Sequence, residues 1–244
     1  MILYDTYIPD SMSPAMLDDY LARGWYRIGQ TMITTDWTIG EQSIYPVFWI
    51  RYALSRYNAG HSARKIIAAN RHFTVHVTAA EITVENESLY QAYQTGIDFT
   101  VATTLKDALL GDSLQSVFSS RMIEVRDRGR LIAAGFFDEG IESVTGILNF
   151  FHPDYKKYSP GKFLFLQKIN VALQQQKRYF YPGYISNCFT KFDYKLFADK
   201  QAVELFVRKQ QTWKPFSETN MDLLVDEMIN EADASDGNMP RQDQ

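Results

Sequence analysis

The stretch NFFHPDYKKYSPGKFLFLQKINVALQQQKRYFYPGYISNCFTKFDYKLF, residues 149–197, decides how the chain is read. It continues the apolar run Ile147-Leu148-Asn149-Phe150-Phe151 into His152-Pro153-Asp154, a composition that ends a strand in a turn. Pro160 and Gly161 then lead a run in which Phe163, Leu166, Ile169 and Leu173 recur at helical spacing, which predicts an amphipathic helix. Proline suits a first helical turn because the amide it lacks would have no partner there. Arg178-Tyr179-Phe180-Tyr181 is short, aromatic and strand-like, and a second, polar-aromatic helix is expected after it. A strand, a helix and a strand in that order predict a crossover between parallel strands. The turn before the helix carries Lys156, Lys157 and Lys162 around Gly161. Backbone amides and positive charge converge there, as in a phosphate-binding turn.

Outward from this block, the upstream sequence reads as a meander. Arg121–Arg126 alternates, Asp127-Arg128-Gly129 turns, and Leu131–Phe137 returns, which predicts a hairpin; Ser143 to Phe151 continues it. Ser13 is placed to cap a helix from Ala15 to Ala22 with Pro14 in its first turn, and Gly24 to end it. Trp25–Gly29, Val47–Tyr52 and the alternating Phe73–Thr78 read as strands. Helices are expected after Thr83, and in short form or as a loop over Asp107–Val117 with Thr104 as its cap. Ala202–Val207 reads as the final strand. Three regions are expected: residues 1–105, an α+β N-terminal domain; 106–216, a second domain holding the meander and the central block; and 217–244, an acidic tail with a helical turn or two at Met221–Ile229 and disorder from Asn230.

The charge is uneven. Residues 217–244 hold eight acids against Arg241, or −7, so the body of a chain whose net charge is −4 carries +3. Charge therefore does not exclude a body that contacts RNA. The single cysteine, Cys188, excludes an intramolecular disulfide and any multi-cysteine metal site, and reads as a small buried thiol at a helix start. No apolar run approaches membrane-spanning length and no secretory pattern opens the sequence, so the cytoplasm is the expected location.

The central block resembles the C-terminal half of the aminoacyl-tRNA–protein transferases, the arginyl- and leucyl-transferases of the N-degron pathway. That family shows an aromatic pair before Asp-Pro-Asp, where this chain has Phe150-Phe151-His152-Pro153-Asp154. A small-residue-Gly turn follows, here Ser159-Pro160-Gly161, and then Gly183-Tyr184-Ile185-Ser186-Asn187-Cys188, Lys191 and Tyr194-Lys195. Upstream, Gly24–Gly29, His61–Lys65 with Asn70, and Leu89-Tyr90 with Tyr93 resemble further family segments. The family's cysteine cluster is missing: Thr34–Tyr45 contains no cysteine, so thiolate ligation is impossible there. His72 and His76 fall on a strand pattern and read as solvent-side residues, so no metal site is expected.

The resemblance implies an α+β, acetyltransferase-like (GNAT) mixed sheet with helices on both faces, preceded by a smaller α+β domain. It implies transfer of an amino acid, arginine favoured over leucine, from aminoacyl-tRNA to the N-terminal amine of an acceptor protein starting with Asp or Glu. Aminoacyl-tRNA is then the co-substrate, with no further cofactor. The reaction is aminolysis of an activated ester, which asks the protein to position the partners, accept a proton and stabilise an oxyanion. Asp138, at the end of a hairpin strand, is the expected proton acceptor, and Tyr184 a donor to the oxyanion. The expected phosphate and tRNA contacts are Lys156, Lys157, Gly161 and Lys162 in the turn, with Lys191, Tyr194 and Lys195 beyond the second strand. Lys191 and Lys195, four apart, are expected on one helical face beside aromatic rings. Arg64 and Lys65 are the expected contacts to an acidic acceptor N-terminus. Two rivals share the fold: an acyl-CoA N-acyltransferase with CoA's pyrophosphate at the turn, and a non-catalytic binding protein that has lost the cysteine centre.

Overall fold

A computed structural model describes residues 4–39, 44–188 and 190–236. Three small strands, β1 (Tyr4–Tyr7), β2 (Tyr26–Ile28) and β3 (Thr31–Thr35), pair in the order β1-β3-β2, with helix α1 (Pro14–Ala22) between the first two. Ser13 caps α1 as its sequence predicts, accepting the Met16 amide at 3.2 Å, and Gly24 follows at φ +76. A two-stranded ribbon, β4 (Trp37–Ile39) with β5 (Ile44–Pro46), follows.

The chain then enters the main sheet through β6 (Phe48–Ala53), and after helix α2 (His61–Asn70) again through β7 (Thr74–Ala79). Helices α3 (Val84–Gln94) and α4 (Leu105–Leu110) follow, capped by Thr83 and Thr104. The predicted meander is β8 (Ser120–Asp127), β9 (Arg130–Glu139) and β10 (Ser143–Phe151). A 3-10 turn at Pro153–Tyr158 leads into α5 (Pro160–Gln174) and β11 (Tyr179–Ile185). A second 3-10 turn, Thr190–Leu196, stands where a helix is predicted, and β12 (Val203–Val207) is followed by an unforeseen edge strand, β13 (Thr212–Pro215). The eight strands run in the order β13-β12-β6-β11-β10-β9-β8-β7. Among the described strands only the β10–β11 pair is parallel, joined by α5 as the crossover predicts. Strands from both sides of residue 105 thus share one sheet.

Both faces of that sheet are covered, giving a mixed α+β architecture. Residues 131–138 of β9 are buried without a break, the pattern of a strand covered on two sides. Ile132 and Phe137 join the core under α5, whereas Leu131, Ala134 and Phe136 join the core under α3 and α4. Helix α5 carries more than one apolar stripe. Phe163, Leu164, Phe165, Leu166, Ile169, Val171 and Ala172 are all buried, because α2 lies on its outer side while the sheet lies beneath. The acidic tail forms helix α6 (Met221–Asp236), which continues past Asn230; Met221, Leu224, Val225 and Met228 dock it on the same core. Residues 237–244, also expected to be disordered, lie outside the described residues. No helix among the described residues is long and apolar enough to cross a membrane.

Leu164 is fully buried at the centre of α5. Truncation to alanine should cost about 2–5 kcal/mol, as cavities in such cores do, read as a shift in the urea midpoint at unchanged slope. A loss below about 1 kcal/mol would mean that α5 does not anchor the sheet.

Candidate active site

The parallel strands β10 and β11 are paired only at Ser143–Tyr179, Val144–Phe180 and Thr145–Tyr181. Beyond these pairs each strand loses its regular course. β10 bulges against β9 between Gly146 and Leu148. β11 loses register with β6 between Phe180 and Gly183, where Pro182 has no amide to donate and Gly183 sits at φ +102. The strands part at their carboxyl ends, where open sheets place ligands. A cavity of about 330 Å³ fills the gap. Its walls are largely aromatic, with Tyr26, Trp49, Phe165, Phe180, Tyr184 and Phe192 prominent among them.

Two lysines line this cavity. Lys168 projects from α5 and is 1% exposed; its ammonium donates to the carbonyls of Phe136 at 2.6 Å and Leu148 at 3.2 Å, at the bulge. Lys195 donates to the Tyr184 carbonyl at 2.6 Å and lies 4.7 Å from the Phe192 ring and 5.0 Å from that of Tyr184. Burial lowers the pKa of both amines to about 7, with the charge of Asp138 pulling Lys168 back up. The Tyr184 ring stands edge-on to Trp49, and its hydroxyl is 3.4 Å from that of Thr38. Asn149 adds a buried side-chain oxygen that accepts no hydrogen bond among the described residues. Among the described residues, none that lines the cavity is an aspartate or glutamate.

Of the residues singled out in the sequence, Tyr184, Tyr194 and Lys195 gather at the cavity. Lys195 does not share an outward helical face with Lys191. The segment is a 3-10 turn, in which residues three apart align, and Lys195 is buried while Tyr194 is exposed. The Lys191 side chain lies outside the described residues. Lys162 sits with its amine 5.3 Å from the Phe197 ring, which in turn is 5.3 Å from Phe165 in the cavity wall. Lys156 and Lys157 are exposed on the first 3-10 turn, and Arg64 and Lys65 on α2, away from the cavity. A Cβ at Gly161 would meet Phe151 at 3.5 Å, ordinary contact, so space alone does not demand glycine there. Cys188, expected to be buried, is exposed. Among the described residues no group of three metal-ligating side chains occurs.

Asp138 does not line the cavity. It is fully buried, 2.6 and 2.8 Å from the Arg27 guanidinium, and accepts the Ser120 hydroxyl at 2.5 Å. Burial pushes its carboxyl above the usual range, opposed by Arg27 and Ser120. Arg27 also donates to the carbonyls of Gly29 and Leu109, so the pair ties β2 to β9. Lys168 and Asn149 escaped the sequence reading. Lys168 had a signal: Leu164, Lys168 and Ala172 share one face of an otherwise apolar helix. Replacing Arg27 by leucine strands a buried carboxylate and should cost about 3–5 kcal/mol in chemical denaturation, with much of the loss recovered in an Arg27→Leu, Asp138→Leu double variant. An undiminished stability in the single variant would refute this tie.

A family model described as "Arginine-tRNA-protein transferase, C terminus" matches residues 85–203. An aspartate/glutamate leucyltransferase of Xanthomonas axonopodis pv. citri is 29% identical, over 60% of this chain and 61% of that protein. Arginyl-tRNA--protein transferase 1 of Arabidopsis thaliana is 28% identical, over 64% of this chain and 27% of that one. The match thus spans about three fifths of the bacterial relatives' length. Among solved structures, the C-terminal domain of a putative lysylphosphatidylglycerol synthetase from Agrobacterium fabrum aligns at a TM-score of 0.44 and 16% identity, covering 62% of this chain and 50% of that chain. Through residues 85–203, which carry the meander, the lysine turn, α5 and β11, the chain is similar to the C-terminal region of the arginine-tRNA-protein transferases.

Proposed function

We propose that the cavity between β10 and β11 is where an aminoacyl group, carried on tRNA, is transferred to the N-terminal amine of an acceptor protein. The observation that carries this reading is the aromatic cavity itself, with a buried amine and a tyrosine on its walls, lined in large part by the family-matched segment. Aminoacyl-tRNA is the co-substrate. The supply of charged tRNA puts the reaction in the cytoplasm.

The chemistry follows from these groups. The acceptor amine attacks the ester carbonyl, the C–N bond forms, the C–O bond breaks, and the 3′-hydroxyl of the tRNA departs. Lys195, lowered to about 7, holds a lone pair at neutral pH and takes the proton from the attacking nitrogen. It returns that proton to the departing 3′ oxygen. Tyr184 donates its hydroxyl to the oxyanion. Asp138 serves as a positioning residue, since Arg27 and Ser120 occupy its oxygens. Lys162, beside Phe197, remains the candidate contact for the terminal phosphates.

The same walls bear on which amino acid is carried. Two lysines and no carboxylate among the described residues line the cavity, so a guanidinium entering it would find no counter-ion. An apolar side chain meets aromatic rings instead. On this ground leucine or a similar uncharged residue is the better donor we propose, beside the arginine that the family description and the plant relative name. The acceptor class, Asp or Glu at the first position, follows the name of the bacterial relatives.

A screen of charged tRNAs against peptides differing only in their first residue tests the substrates. Leucyl-tRNA should donate faster than arginyl-tRNA, and the reverse order would refute the charge reasoning. Below about pH 7 Lys195 is an ammonium and cannot accept a proton; above it the amine is neutral. kcat/KM should therefore rise as pH increases through about 7. In Lys195→Met, which keeps the bulk of the side chain, that limb should vanish and kcat fall by about 10²–10⁴-fold. A retained limb would assign the proton to another group.

A further inference from the structure

Helix α2 and the 3-10 turn at 153–158 lie side by side. The Asn70 amide donates to the Tyr158 carbonyl at 2.8 Å, and the His72 ring lies 5.4 Å from that of Tyr158. At its other end α2 begins beside the second 3-10 turn, with the Gly60 amide donating to the Ala198 carbonyl at 3.1 Å. The outer side of this layer bears Arg64, Lys65 and Arg71 from α2 and its end, and Lys156 and Lys157 from the turn, all exposed. The β8–β9 hairpin adds exposed Arg128 and Arg130 next to the turn, where Tyr155 bonds Asp127 at 2.9 Å.

Seven arginines elsewhere are tied to acids. Arg23, Arg27, Arg51, Arg56, Arg126, Arg178 and Arg208 each form an ion pair. None of Arg64, Lys65, Arg71, Lys156 and Lys157 forms one among the described residues. The sequence explains why: residues 42–80 contain no aspartate or glutamate. On the turn itself Asp154 is the one acid, drawn toward His152 at 3.5 Å. In a chain of net charge −4, α2 with its end and the turn thus carry five exposed cations against one acid, Asp154.

Resting on the transfer reading above, we propose that the outer face of α2 and the lysine turn form a docking surface for the phosphate backbone of the carrier RNA, upstream of its 3′ end. This moves Arg64 and Lys65 from the acceptor protein to the RNA. Exposed cations held in no ion pair and spaced along a ridge suit a repeating phosphate chain, and they need no fixed geometry with any base. His72 and Tyr158 offer rings among them for ribose or base contact.

The test is binding of uncharged tRNA by fluorescence anisotropy over a range of salt concentrations, with the full chain. For Arg64→Glu, Lys65→Glu the affinity should drop at least tenfold at low salt, and the slope of log Kd against log salt should fall by roughly one for each phosphate no longer engaged. The charge-keeping Arg64→Lys, Lys65→Arg variant should bind as the parent does, as should Lys106→Glu on α4, which packs on the other face of the sheet. An unchanged affinity and slope in the glutamate variant would overturn the proposal. So would intact RNA binding with a raised KM for the acceptor peptide, which would return these residues to the acceptor. RNA binding with the expected slopes but no transfer from any charged tRNA would overturn the transfer reading and leave this surface standing.

Discussion

Three residue pairs hold β10 parallel to β11, and the site depends on that ladder being so short. A longer parallel ladder would close the sheet and bury the carboxyl ends of both strands under α5. The bulge at Gly146–Leu148 and the Pro182-Gly183 step prevent this from two sides. Each leaves backbone groups that a regular sheet would pair, and the helix above answers part of that need. Lys168 comes down from α5 and bonds the Phe136 and Leu148 carbonyls with one amine. The close fit of Gly135 beneath it belongs to the same arrangement. A side chain there would meet the Asn149 oxygen at 2.7 Å and the Lys168 stem at 3.3 Å. Opening, lysine and glycine form one solution to a single backbone problem.

The cavity is also a joint construction of distant parts of the chain. Its floor and helix side come from the family-matched segment, but Tyr26 and Trp49 supply wall from upstream of it. Those upstream rings are held in register by polar anchors. The Trp49 indole donates to the Thr35 carbonyl at 3.0 Å, and Arg27, next to Tyr26, is locked on Asp138. A buried pair of this kind adds little stability relative to apolar packing, yet breaking it is strongly destabilising. It specifies where β2 sits against β9, and hence where Tyr26 stands in the wall.

Electrostatics divides the molecule. Among the described residues the cavity is lined by two amines and no acid, α2 with its end and the lysine turn carry five exposed cations and one acid, and the terminal helix is rich in acids. That helix docks through Met221, Leu224 and Met228 and meets the strand end through Asp222, which accepts the Asn187 amide at 2.8 Å. Exclusion of water acts in the same direction on Lys168 and Lys195. It favours a neutral amine, which is what proton acceptance requires.

Local rules account for what the sequence alone determined. The hairpin, the parallel crossover and the capped helices α1, α3 and α4 rest on turn residues, alternation and hydroxyl caps, which act within a few residues. Tyr184 and Lys195 were also legible, because the motif carrying them is contiguous. Tertiary structure decided where those side chains stand. Nothing local distinguishes the Lys195 ammonium, folded inward by a 3-10 turn, from Lys156 on the surface. Nor does it reveal that Asp138 finds Arg27 across 111 residues of chain. Lys168 shows the reason most clearly. A lysine on an apolar helix is read as solvated, since charge is so unfavourable to bury, and only the bulge in a strand packed beneath it supplies the carbonyls that make burial affordable.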